Sequence, residues 1–353
     1  MNSKKVSIIL LISCFFLWLP FSSNHSYAAE SSEVAEVQNQ AKFTVQAVLP
    51  ENQINDRISY YHLLVQPNEK QTLTVKIFNN AAEKQTYKVE VIPAATNKNG
   101  LITYDEREKW PDESMKVAIT DIAKPKASEV TVEANSEGKA EIELAVPQEK
   151  FPGIVLGGIR IAQQSTEEES TESGMSLNNT YGYAIGLMLT EKADNPVYGE
   201  TELKLVKVSP TIDYGSKVLE AAIRNPNPEA MQELTVHGEI IAKDKGTAVA
   251  ETNMEKVKIA PNSIFPLQVN WGMQEVAAGD YTFRGVITGK TNEWTFEEDF
   301  TITQEKAREM NQETSFKVFI PDWWMWLFYL SGALSIMVFG FLISRCLRRK
   351  EAK

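Results

Sequence analysis

Gln71–Phe78 reads QTLTVKIF, and its alternation decides the fold: Leu73, Val75 and Ile77 face one way while Thr72, Thr74 and Lys76 face the other. A period of two with one apolar face is the signature of an antiparallel strand that buries a single side. Asn79-Asn80 then turns the chain. Outward from this stretch, similar short runs separated by turn residues predict strands over Lys42–Val48, Ser59–Val65, Gln85–Ile92, Glu129–Glu133, Lys139–Val146, Gly153–Ala162 and Tyr181–Thr190. The polar run Gln163–Asn179, QQSTEEESTESGMSLNN, has no apolar content to bury. Both of its flanks read as buried strands, so it is a long hairpin loop inside a first β-sandwich over 41–192, and the boundary falls at Lys192–Pro196.

Beyond that boundary the count restarts: Glu200–Val208, Lys217–Arg224, Gln232–Ala242, Thr247–Ile259, Ile264–Trp271, Gly279–Thr288 and Glu293–Thr303. Seven strands complete a second sandwich over 197–304, and the fold class is all-β with two tandem immunoglobulin-like sandwiches. Gly279-Asp280-Tyr281 enters its strand as a tyrosine corner does. The segment Gln304–Thr314 is polar, with Glu305 and Arg308 at helical spacing, and 305–322 is expected to be a short stalk to the membrane.

The ends of the chain set its compartment. Trp323–Ser344, WWMWLFYLSGALSIMVFGFLIS, carries no charge, and at ~1.5 Å per helical residue it spans the ~30 Å core of a bilayer. Trp323, Trp324 and Trp326 crowd the first turns, and Arg345, Arg348, Arg349 and Lys350 follow in the tail, 345–353. Aromatic rings at the interface and basic residues beyond it orient the tail inward. At the other end, Lys4 and Lys5 precede an apolar run, and Ser26-Tyr27-Ala28 offers a cleavage site, so residues 1–28 read as a signal peptide. Together these describe a single-pass type I membrane protein with its ectodomain outside, within or beyond the cell wall.

Composition excludes several functions. With 36 basic against 47 acidic residues the net charge is −11, which opposes nucleic-acid binding. Cys14 and Cys346 are the only cysteines. The exported part therefore folds without disulfides. His62 and His237 lie in different domains, too few for a zinc site, and no cofactor is expected. Asn97, Asn99, Gly100, Ile102 and Glu106 follow a calcium-loop spacing, but Ala95 stands at the essential first ligand, so a plain turn is favoured. No Gly-x-Ser-x-Gly elbow occurs, and the chain is read as not an enzyme, with no catalytic residues.

The candidate binding residues are Glu51, Asn52 and Gln53, in the loop Leu49-Pro50-Glu51-Asn52-Gln53, and the nearby pair Tyr60 and Tyr61. Amides and exposed phenols in a loop suit a sugar or peptide, and an acidic ectodomain needs such short-range contacts to hold a wall polymer. The competing structural explanation is that Pro50 and Asn52 shape a turn, and that the glycines of Phe151-Pro152-Gly153-Ile154-Val155-Leu156-Gly157-Gly158-Ile159 permit close strand packing.

FTVQAVLPENQ, QTLTVKIFNN, AATNKNGLITY and FPGIVLGGIRI resemble the first domain of the WxL-interacting proteins of Gram-positive bacteria. YGYAIGLMLTE, AAIRNPNPEAMQELTVHGEI, APNSIFPLQVNW and AGDYTFRGVI resemble the region that follows it. The resemblance implies a peptidoglycan-binding domain, then a host-binding domain, in a surface scaffold or adhesin component that partners WxL-domain surface proteins, peptidoglycan and a host extracellular matrix protein. The alternatives are a stand-alone host-matrix adhesin and an accessory subunit of a cell-wall hydrolase.

Overall fold

The computed structural model describes residues 42–105, 112–164, 181–315 and 323–350, without side chains at 323–325, 328, 343 and 345–350. The expected signal peptide and all but the first two residues of the acidic loop lie outside the described residues, as do the side chains of Trp323, Trp324, Arg345, Arg348, Arg349 and Lys350.

The chain is mostly strand. In the first sandwich one sheet has the order β1 (Phe43–Val48), β3 (Lys70–Asn79), β9 (Ser136–Ala145), β7 (Ala123–Pro125). The facing sheet runs β2 (Tyr61–Leu64), β11 (Gly182–Thr190), β10 (Ile154–Gln163), β4 (Gln85–Pro93), β8 (Glu129–Val132). Leu73, Val75 and Ile77 of β3 are buried, so the alternation in QTLTVKIF faces the core. The facing sheet buries Tyr87, Val89, Ile159, Ile161 and Leu187. Strand β11 pairs with β10 along nine residues, Gly182–Thr190, which ties it to the first sandwich.

The second sandwich pairs β12 (Lys204–Asp213), β13 (Ser216–Asn225) and β16 (Ser263–Asn270) against β15 (Thr247–Ile259), β14 (Met231–Ala242), β17 (Gly279–Thr288) and β18 (Glu293–Ile302). Strand β12 outruns its expected end at Val208 by five residues and contains Pro210. It is an edge strand, where a missing N–H faces no partner. The tyrosine corner is present: the Tyr281 hydroxyl donates to the Ala277 carbonyl at 2.8 Å, and its ring stacks on Phe300 at 5.6 Å.

Between β4 and β8 the plain turn read at Asn97–Gly100 lies between two short paired strands, β5 (Ala95–Thr96) and β6 (Ile102–Thr103), and a single-turn helix follows, α1 (Ile119–Ile122). Two departures from expectation matter. First, α2 (Gln304–Glu313) is not a free stalk: Ala307 and Met310 are buried in the second core, and Asn311 exchanges two hydrogen bonds with the Val276 backbone at 2.9 Å. Finally, α3 (Trp323–Lys350) is helical throughout, but among the described residues no helix is long and apolar enough to cross a membrane.

The ribbon and the Asp112–Ser114 segment dock the two sandwiches. The Asn97–Gly100 turn, closed by the Gly100 N–H donating to the Asn97 carbonyl at 2.9 Å, reaches β15, where the Lys258 N–H donates to the Gly100 carbonyl at 2.8 Å. Gly100 sits at φ +68°, and a Cβ there would lie 2.8 Å from the Val257 side chain, so both the backbone and the space demand glycine. Beside it the Thr96 hydroxyl accepts from the Ala260 N–H at 2.9 Å and meets the Ser263 hydroxyl at 2.9 Å. Farther along, Arg224 Nε donates to the buried Asp112 at 3.0 Å, and Asn262 donates to the Ser114 carbonyl at 3.1 Å.

Candidate functional site

The loop chosen from the sequence is used mostly for its own structure. The Asn52 amide donates to the Leu64 carbonyl and to Gln71 at 3.0 Å each, and the Gln71 amide returns a bond to it at 3.0 Å. Gln53 donates to the carbonyls of Asn55 and Tyr60 at 2.8 and 3.0 Å and accepts the His62 N–H at 3.1 Å. Their polar atoms are engaged in shaping the approach to β2. Tyr61 is corrected outright: it is fully buried, with its hydroxyl donating to the Thr74 carbonyl at 2.6 Å, and cannot touch a ligand. Glu51 is exposed at the loop tip.

Tyr60 points elsewhere. It borders a cleft of about 850 Å³ at the junction of the sandwiches, shared with Tyr104, Tyr183, Tyr198 and Lys258. The packing of Tyr104 beneath this cleft explains Gly158 of β10. Gly158 lies opposite Gly186 of β11, and a Cβ on Gly158 would fall 2.6 Å from the Tyr104 ring. A Cβ on Gly186 would lie 3.4 Å from the Tyr104 hydroxyl and 3.6 Å from Tyr60. The paired glycines thus form a flat shelf on which Tyr104 rests. Gly157 faces the opposite way, where its missing side chain admits Ile119 of α1, at 2.4 Å from an added Cβ. One glycine serves the core and its neighbour serves the cleft.

Tyr198 closes the far wall, held by a bridge in which the Ala230 N–H donates to the Val197 carbonyl and the Gly199 N–H to the Ala230 carbonyl, both at 2.9 Å. It is 44% exposed and Tyr60 38%, so their faces are open to a ligand. Burial pushes the Tyr104 phenol up to about 12, with the nearby Tyr60 and Tyr198 phenols adding to the rise. Burial also pushes Tyr61 up to about 12, against a lowering hydrogen bond from the Val48 backbone. Both values exceed the ordinary 10.0, so the stabilisation is complete below about pH 10 and is lost as pH rises toward 12. Thermal melts across that range are expected to show the loss, and Tyr61→Phe with Tyr104→Phe to flatten it. An unchanged slope in the double mutant contradicts the assignment.

Stacking faces, a shelf of backbone and few charges are what a sugar ring or a short peptide requires. Among the described residues no cluster of three or more His, Cys, Asp or Glu is placed to hold a metal. Comparison with known families then decides the class. The WxL Interacting Protein peptidoglycan binding domain matches residues 43–163, and the host binding domain of the same family matches residues 172–312.

The chain belongs to the WxL-interacting protein family.

Its two domains give it a cell-surface binding role. Tyr60, Tyr104 and Leu156 of the cleft fall within the peptidoglycan-binding match, while Tyr183, Tyr198 and Lys258 fall within the host-binding match. No curated protein matches the sequence. Solved structures that it resembles include the Pseudomonas aeruginosa CupB2 chaperone, at 14% identity over 67% of this chain and 95% of that one with TM-score 0.28. The E. coli chaperone DraB is similar at 14% identity over 72% and 95%, with TM-score 0.29. Superpositions this poor carry no argument.

Of the candidate binding residues named from the sequence, Tyr60 alone lines this cleft. Tyr104, Tyr198 and Lys258 stand far apart in sequence and share no motif. The one available signal was the doubled glycine, Gly157-Gly158, in a strand that gains nothing from missing side chains unless something packs there.

Proposed function

We propose that this is a non-catalytic, membrane-anchored surface scaffold whose peptidoglycan-binding domain grips the wall polymer in the tyrosine cleft. The observation that carries the reading is the shelf: Tyr104 and Tyr60 packed over the backbone-only positions Gly158 and Gly186, with Tyr60 and, across the cleft, Tyr198 exposed. Sugar rings stack on such faces, and the loop holding Tyr60 is stiffened by Gln53. Around this grip the chain holds a WxL-domain surface protein as partner, and the host-binding domain reaches a host extracellular protein.

The anchor is α3. Trp326, Leu330, Ile336, Met337, Phe339 and Phe341 are each more than 60% exposed, at positions spread around the helix. A helix apolar on every side is stable only where something other than water surrounds it, and a bilayer supplies that. Arg345, Arg348, Arg349 and Lys350 then hold the tail on the cytoplasmic side.

Protease added to wall-stripped cells is expected to digest the ectodomain and leave a small membrane-bound C-terminal fragment. The intact protein, extracted in detergent, is expected to co-sediment with purified sacculi and to retain a WxL-domain protein in a pull-down. A protected ectodomain contradicts the topology, and a protein left in the supernatant contradicts the wall grip.

A further inference from the structure

The cleft has two owners. Tyr60 and Tyr104 belong to the first sandwich and Tyr198 and Lys258 lie beyond it, so the site exists only while the ribbon turn is docked on β15. Among the described residues, Lys258 is the one charged side chain lining the cleft. It lies on β15 between the buried Val257 and Ile259, is itself half-buried, and pairs with no carboxylate among the described residues. On a chain of net charge −11 with abundant Asp and Glu, an unpaired lysine in an otherwise uncharged cleft is unusual. A partly exposed cation in such a setting draws a matching anion, and salt screens that attraction.

We infer that Lys258, from the host-binding domain, is the carboxylate-recognising residue of the wall site, so that the ligand is a carboxylate-bearing sugar or sugar–peptide and the second domain completes the first domain's grip. This rests on the cleft being the wall site. The tyrosines take the rings and Lys258 takes the charge, with a charge-assisted hydrogen bond that fixes the ligand's direction along the shelf. A ligand so placed touches both sandwiches and clamps the junction closed.

The test is sacculus binding by the full chain in detergent across a salt series, for wild type, Lys258→Met, Lys258→Arg and Tyr104→Ala. Lys258→Met is expected to weaken binding about tenfold and to flatten its salt dependence, and Lys258→Arg to restore most of both. Tyr104→Ala should weaken binding and leave the salt dependence in place. If Tyr104→Ala weakens binding while Lys258→Met matches wild type in affinity and salt dependence, the cleft remains the wall site and the role of Lys258 is overturned. If neither variant changes binding, the cleft itself is not the site and both readings fall.

Discussion

Gly158→Ala should remove most of the wall binding while leaving the protein folded. The new Cβ would sit 2.6 Å from Cγ of Tyr104, and ring and strand cannot both stay. The ring is the softer of the two, since β10 is paired on both sides, to β11 and β4. Tyr104 therefore lifts off the shelf into the space that the ligand needs. Displacement of a central aromatic contact should weaken sacculus binding at least about tenfold, with a stability loss of about 1 to 2 kcal/mol from overpacking. Gly157→Ala separates the two effects, because its Cβ meets Ile119 and the Ile92 carbonyl on the other face. That variant should lose stability, and the fraction that remains folded should bind as wild type does. A folded Gly158→Ala protein with undiminished affinity would show that the shelf is packing alone.

Arg224→Ala is expected to be the most destabilising single change at the junction. The side chain of Asp112 is 5% exposed and that of Arg224 16%, and the guanidinium also reaches Glu113. Removing the arginine strands a buried carboxylate, a change that typically costs about 3 to 5 kcal/mol. Here the Ser114 N–H and hydroxyl still donate to Asp112, at 2.9 and 2.6 Å, which brings the expected loss down to about 2 to 3 kcal/mol. For a unit of this size that lowers the melting temperature by about 5 to 10 °C. Arg224→Ala combined with Asp112→Ala should recover part of the loss, since no stranded charge remains. A single mutant that melts within a degree of wild type would mean that the pair is solvated and the junction is held elsewhere.

How much could be read beforehand depended on how local each feature is. The buried alternation of Leu73, Val75 and Ile77, and the hydrogen bond of Tyr281 to Ala277, need only a few neighbouring residues, and the sequence shows both. The turn at Asn97–Gly100 was legible from its Asn and Gly residues, but the docking role of the ribbon Ala95–Thr103 was not, because it lies in contacts with β15 and Ser263 far along the chain. Pro210 hid the second half of β12 because a proline argues against a strand unless the strand is known to be an edge. Composition alone cannot tell an amide that greets a ligand from one that braces a loop, and Asn52 and Gln53 are of the second kind. Neither could it say that Tyr60 would be exposed and Tyr61 buried, since β2 begins between them and reverses the face.

The most direct test of the account is to place a photo-crosslinking amino acid at Ser59 or Leu101, on the cleft, and at Thr295, on the exposed face of β18. Cells carrying each variant are irradiated, and the purified protein is assayed by mass for attached wall fragments. The account predicts wall fragments joined at Ser59 and Leu101 and none at Thr295. Capture at Thr295 with none at the two cleft positions would contradict it.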